Sequence, residues 1–189
     1  MRDETITAFL DQLAARVPAP GGGGAAAVTA ALAAGLVAMA ARFSTAQLPA
    51  AGNIAEQADR LRHRVAALAD EDATVYQAVL DAFALPRDAA GRQARIRDTL
   101  HGAATVPLEI AEVAAQVGQL AAGVAADGNP NLRGDAVTAA YLAEAAARSA
   151  AALVDINVRL GGLPADLSQR AGSAVASAHS AATRAAPNA

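Results

Sequence analysis

Two aspartates occupy positions where helical periodicity calls for aliphatic side chains. Asp72 falls on the row Ala58, Val65, Asp72, Val79, with Leu68 and Val75 one turn away on either side. Asp135 opens another row at heptad spacing, through Leu142, Ser149, Ile156 and Leu163. A carboxylate turned toward a core is costly unless it is paired, hydrogen-bonded or protonated, and burial raises its pKa. A raised pKa suits general acid or base work, so both acids are candidates for proton transfer. Each also has a plainer reading. Gly134-Asp135 follows a turn, where an acid caps a helix and complements its dipole. Asp72 could sit at the edge of its seam and reach water, and its neighbours Asp70 and Glu71 read as solvated surface.

The second feature is the run Pro18-Ala19-Pro20-Gly21-Gly22-Gly23-Gly24, followed by an uncharged stretch that ends at Arg42. A Walker loop requires a lysine after its glycines, and this chain has no lysine at all. A dinucleotide fingerprint requires a preceding strand, whereas a helical pattern precedes here. Two readings remain open. The glycines form a turn whose free N–H groups receive an anionic or carbonyl-bearing ligand, or they permit a close helix crossing. Tyr76 and Tyr141 lie near the two acids and offer hydroxyl donors to a ligand or to the core. The chain has no cysteine, and His63, His101 and His179 have no metal-binding spacing, so no protein-held metal is expected.

The elements that must position these residues are helical. Ile6, Phe9, Leu13 and Val17 predict a first helix with Asp3 as N-cap, ended by Pro18-Ala19-Pro20. A second helix starts within the glycines and runs to about Ser44. It is long enough to span a bilayer, but glycine and alanine drive insertion weakly, so a buried central helix is expected. A third helix begins at a capping box of Asn53 and Glu56 and ends before Pro86. The fourth carries Ile96, Ala103, Ile110, Val117 and Val124 on one row, with Pro107 inside it. That proline is expected to kink the helix and free the carbonyl of Ala103. Gly128 is the expected C-terminal cap, and Pro130 precedes the fifth helix. The fifth carries the Asp135 row and a companion row of Ala139, Ala146, Leu153 and Leu160. A sixth runs from about Asp166 to Arg184.

No strand pattern appears, so the fold class is all-α, an antiparallel bundle of five or six helices. One domain is expected over residues 1–185, with 186–189 fraying. Hydrophobic residues make up 54% of the chain but aromatics only 3%, and alanine supplies most of the difference, which favours closely packed helices. A net charge of −3 without any basic block argues against nucleic-acid binding. The acidic, amphipathic N-terminus is unlike a secretory leader, so neither a membrane nor an export route is expected.

The segment FLDQLAARVPAPGGGGAAAVTAALAAGLVAMAARFS resembles the cyclodeaminase/cyclohydrolase family, which includes the cyclodeaminase domain of formiminotransferase-cyclodeaminase and methenyltetrahydrofolate cyclohydrolases. The resemblance continues through ADEDATVYQAVLDAFALP, AATVPLEIAE, GNPNLRGDAVTAA and DINVRLGGL. It implies a helical bundle that pairs as a homodimer and acts in the cytoplasm on a tetrahydrofolate derivative, with no tightly bound cofactor. The reactions it implies interconvert a methenyl group with its formyl or formimino form by acid/base chemistry. Asp72 and Asp135 match acidic family positions and would be the catalytic residues. Pro20, Gly21, Gly22 and Gly23 would shape the ligand turn, with Asn131, Asn157 and Arg42 as further binding residues. The chain departs from the family at Ala38, where many members have an acid, at Gly24, where serine is frequent, and in STAQLPAAGN, where many carry lysine. Those departures sustain an alternative: a diverged member that binds or transforms another small molecule, or one that is not catalytic.

Overall fold

A computed structural model describes residues 4–186. Among the described residues there are six α-helices and no strand: α1 (Ile6–Ala14), α2 (Gly22–Arg42), α3 (Ala51–Ala84), α4 (Arg92–Asp127), α5 (Arg133–Gly161) and α6 (Asp166–Ala185). A 3-10 turn, Pro130–Leu132, leads into α5. The architecture is the all-α bundle that periodicity implies.

Alanine decides how the helices pack. The buried row of α5 is Ala136, Ala139, Ala143, Ala146 and Ala150, continuing to Val154, and α2 buries Ala27, Ala30, Ala34, Val37 and Ala41. A methyl side chain lets backbones approach closely, so many short contacts replace a few large aromatic ones. α2 lies at the centre, against α3, α4 and α5. It is long and apolar enough to cross a membrane, yet more than half of that apolar window is buried inside the bundle.

α2 and α5 run antiparallel. Gly22, at the start of α2, faces Leu153 late in α5, whereas the end of α2 is stitched to the turn before α5. The stitch is polar, with Ser44 buried at its centre. The Ser44 hydroxyl donates to the Ala40 carbonyl at 2.7 Å and accepts the Asn129 N–H at 2.9 Å, and the Asn129 amide donates to the Phe43 carbonyl. Gly128 caps α4 as expected, and the reason is steric: a Cβ there would strike the Val124 carbonyl and the Ser44 hydroxyl.

Several expectations are corrected. α1 stops at Ala14 rather than Val17, and its cap is Thr5, whose hydroxyl accepts the Ala8 N–H at 3.1 Å. Asp3 lies outside the described residues, as do residues 187–189 of the tail. The capping box at Asn53 and Glu56 does not form. α3 starts earlier, at Ala51, because backbone bonds of the loop, Ala51 N–H to Leu48 and Ile54 N–H to Ala50, already satisfy its first turn. Glu56 faces Arg60 instead. In α5 the expected seam is offset: Ser149 and Ile156 are exposed, as is Leu160 of the companion row, while Ala146, Ala147, Ala150 and Ala151 are buried. Large aliphatics marked the wrong face because the close-packed face of this helix needs the smallest side chains.

Candidate active site

The start of α2, the second half of α3, the first half of α4 and the end of α5 enclose a cleft of about 420 Å³. Its floor is the glycine turn, Gly21, Gly22 and Gly23. Its walls are aliphatic and aromatic, among them Val79, Phe83, Leu100, Ile156 and Leu160. Among the described residues one carboxylate enters it, that of Asp72.

α3 presents Asp72 on the same face as the buried Val65 and Val79, as the seam argument requires. The carboxylate lies directly over Gly23; a Cβ at that position would overlap all three atoms of the carboxyl group. It accepts a hydrogen bond from the Gly24 backbone N–H. α2 has no cap of its own, because its N-cap residue is Gly21. Asp72 therefore caps α2 from a neighbouring helix, in the positive field of that helix's N-terminus. Burial raises the pKa of Asp72 above the usual carboxylate value, and the Gly24 N–H opposes the rise without cancelling it. The result is an acid near water whose proton is held more tightly than normal. Such a group can exchange a proton with a ligand or stabilise a cation beside it.

Two more groups shape the cleft. Pro107 lies inside α4 and lines the cleft, and its missing N–H leaves the Ala103 carbonyl free. The Asn157 side-chain amide donates to that carbonyl at 2.8 Å. Tyr76, one turn beyond Asp72, stands at the half-open edge. Among the described residues lining the cleft there is no arginine or histidine. No grouping of three or more metal-ligating side chains occurs among the described residues.

The sequence-nominated residues divide into two sets. Asp72, Gly21, Gly22, Gly23 and Asn157 meet in the cleft, and Pro20 is buried immediately behind the turn. Arg42, Asn131 and Asp135 do not reach it within one chain. Arg42 closes α2, about 30 Å from the glycines by helix rise, and is ion-paired with Asp59. Its guanidinium holds the Asp59 carboxyl below the usual range against the opposing effect of burial. Asn131 is exposed in the 3-10 turn, where its N–H donates to the Asn129 side chain at 3.0 Å. Asp135 lies in the first turn of α5, roughly 27 Å along that helix from Leu153. Ala38 is buried in the core, away from the cleft. Tyr141 is exposed on α5. Sequence reasoning missed Phe83, Leu100, Leu160 and Pro107 as cleft walls. Only Pro107 carried a signal, since a proline inside a long helix exposes a carbonyl that something must satisfy.

Comparison with known proteins agrees with this architecture. The family model described as formiminotransferase-cyclodeaminase matches residues 5–161. A methenyltetrahydrofolate cyclohydrolase of Methylorubrum extorquens is 36% identical over 167 residues, covering 83% of this chain and 80% of the relative. The crystal structure of a formiminotetrahydrofolate cyclodeaminase from Thermotoga maritima superposes with a TM-score of 0.87 at 24% identity, covering 97% of this chain and 94% of that one. That last likeness speaks to the fold, and the first two settle descent: this chain belongs to the formiminotransferase-cyclodeaminase family of folate one-carbon proteins.

Proposed function

We propose that the protein is a methenyltetrahydrofolate cyclohydrolase whose cleft acid, Asp72, acts on the bridging one-carbon unit. The observation that carries this reading is the position of Asp72, the one carboxylate among the described residues lining an apolar cleft, at a helix N-terminus with a raised pKa. The methenyl bridge is a delocalised cation, and a carboxylate in an apolar cleft stabilises it. Water adds to the bridging carbon and gives a proton to Asp72. The hydroxyl of the adduct then collapses to a carbonyl as one carbon–nitrogen bond breaks. Asp72 returns its proton to the departing nitrogen, and the hydroxyl proton leaves to solvent. The balance is methenyl cation plus water to formyl product plus one proton, with no redox cofactor. The 36% identical cyclohydrolase supports hydrolysis over deamination. Such folate chemistry also supports a cytoplasmic location.

A homodimer is part of this proposal. α1 buries none of its residues, with Ile6 75% exposed, and α2 carries an outward apolar strip of Val28, Leu32 and Met39. Leu32, 56% exposed, stands ten residues from either end of α2. A two-fold contact centred there would run two α2 helices antiparallel and carry Arg42 and Asp135 of a second copy toward the cleft. On that pairing Asp135 serves as a second acid, and Asn131 and Arg42 contact the ligand's tail.

The test is the loss of methenyltetrahydrofolate absorbance with purified protein against buffer, with Asp72→Asn and Asp135→Asn alongside. Acceleration that Asp72→Asn abolishes supports the reading. No acceleration over buffer refutes it and favours a member repurposed for another ligand. The absence of arginine and histidine among the described residues lining the cleft motivates that second reading, because folate carboxylates find no cationic partner among them. An unchanged rate in Asp135→Asn removes Asp135 from the mechanism.

A further inference from the structure

We propose that Pro107 is a positioning residue for ligand recognition, acting through the side-chain amide of Asn157. Pro107, Ala103 and Asn157 all line the cleft, on two different helices. In an ordinary α-helix the Ala103 carbonyl would accept the N–H of residue 107; proline has none. The freed carbonyl accepts the Asn157 amide at 2.8 Å. A carbonyl can only accept, so the NH₂ of Asn157 must face Ala103, and its side-chain oxygen must turn away from it. No partner for that oxygen occurs among the described residues. One main-chain carbonyl, uncovered by one proline, thus fixes which end of the amide the ligand can meet.

This arrangement defines a class of ligand. The cleft then offers the Asn157 amide oxygen and the Asp72 carboxylate as acceptors, in largely apolar walls. Beside Asn157 and Asp72 it suits a flat heterocycle with N–H donors along its edge, such as the aminopyrimidinone of a reduced pterin, and disfavours at that position a ring edge that presents only acceptors. Restoring an N–H at position 107 would return the Ala103 carbonyl to the α4 ladder. Asn157 would lose its anchor, and its amide would be free to flip. The inference rests on the proposed folate reaction for its ligand, but its structural half stands without it.

The experiment is a double-mutant cycle of Pro107→Ala and Asn157→Ala, read as kcat/KM on methenyltetrahydrofolate. It is accompanied by hydrogen exchange of the Asn157 side-chain amide in ¹⁵N-labelled protein without ligand, assigned by its disappearance in Asn157→Ala. Pro107→Ala alone should lower kcat/KM about tenfold, chiefly through KM, as expected for one misdirected hydrogen bond. In the Asn157→Ala background the same change should alter it by less than about twofold. An equal loss in both backgrounds would show that Pro107 only shapes the cleft, and would overturn the proposal. The wild-type amide should be protected from exchange, and Pro107→Ala should remove that protection. An unprotected wild-type amide overturns the proposal without any variant, even if Pro107→Ala fails to fold. A protected amide in a protein inert toward methenyltetrahydrofolate would retain the anchoring of Asn157 and overturn the folate ligand.

Discussion

Gly23→Ala separates the chemistry of the cleft from its stability. The added Cβ would overlap the Asp72 carboxyl group. The backbone of α3 is held by Val65, Leu68 and Val79, all buried, so the side chain of Asp72 must yield. Rotating it away sacrifices the hydrogen bond from the Gly24 N–H. A hydrogen bond to a charged group is worth about 1.5–3 kcal/mol, which corresponds to roughly a 10- to 150-fold fall in kcat/KM if the carboxylate must stand there. Stability moves much less. Alanine is favoured over glycine in a helix by about 1 kcal/mol, which offsets much of the lost cap. The signature is therefore a large loss of methenyltetrahydrofolate hydrolysis at nearly constant Tm, read by absorbance kinetics and thermal melting. Gly172→Ala is the control, since a Cβ there meets nothing within 4 Å; it should leave activity unchanged and raise Tm slightly. Activity within twofold of wild type in Gly23→Ala would refute the requirement for Asp72 over the glycine turn. A parallel collapse of Tm and activity would show that the glycine serves packing.

The remaining predictions follow from the same geometry. Because the folded pKa of Asp72 is raised, the folded state binds its proton more tightly than the unfolded chain does. The stability it contributes is present below the unfolded value near 3.8 and is lost as pH rises through the folded pKa. Denaturation from pH 3 to 7 should show that pH-dependent difference between wild type and Asp72→Asn; a difference independent of pH would refute the raised pKa. Ser44→Ala strips the Asn129 N–H of its acceptor, at a cost of about 1–3 kcal/mol, which a urea midpoint will register without any direct effect on the cleft. Gly128→Ala drives a Cβ into the Val124 carbonyl, which cannot move without breaking the end of α4, and should destabilise by a similar amount of about 1–3 kcal/mol. Leu32→Asp should shift the protein toward monomer in sedimentation if the outward strip of α2 pairs two copies; an unchanged mass places the interface elsewhere.

Local rules made much of this protein legible. Helix periodicity, prolines and glycine punctuation gave the six helices and their order, because those signals are carried by neighbours a few residues apart. Asp72 was identifiable for the same reason: an acid on a row with Val65 and Val79 violates the pattern of its own helix. Asp135 broke its row too, but that row did not face the core. In a bundle packed through alanines the buried face of α5 carries the least hydrophobic bulk, so large aliphatics were a misleading guide. What only the tertiary structure decided is which distant segments share a site. Nothing within α3 reveals that Asp72 caps the glycine start of α2, and nothing within α5 reveals that Asn157 satisfies the carbonyl that Pro107 frees in α4. The same packing separates Asp72 from Asp135 by most of the length of α2. Such pairings depend on how rigid helices stack across the whole bundle, and no local preference encodes them.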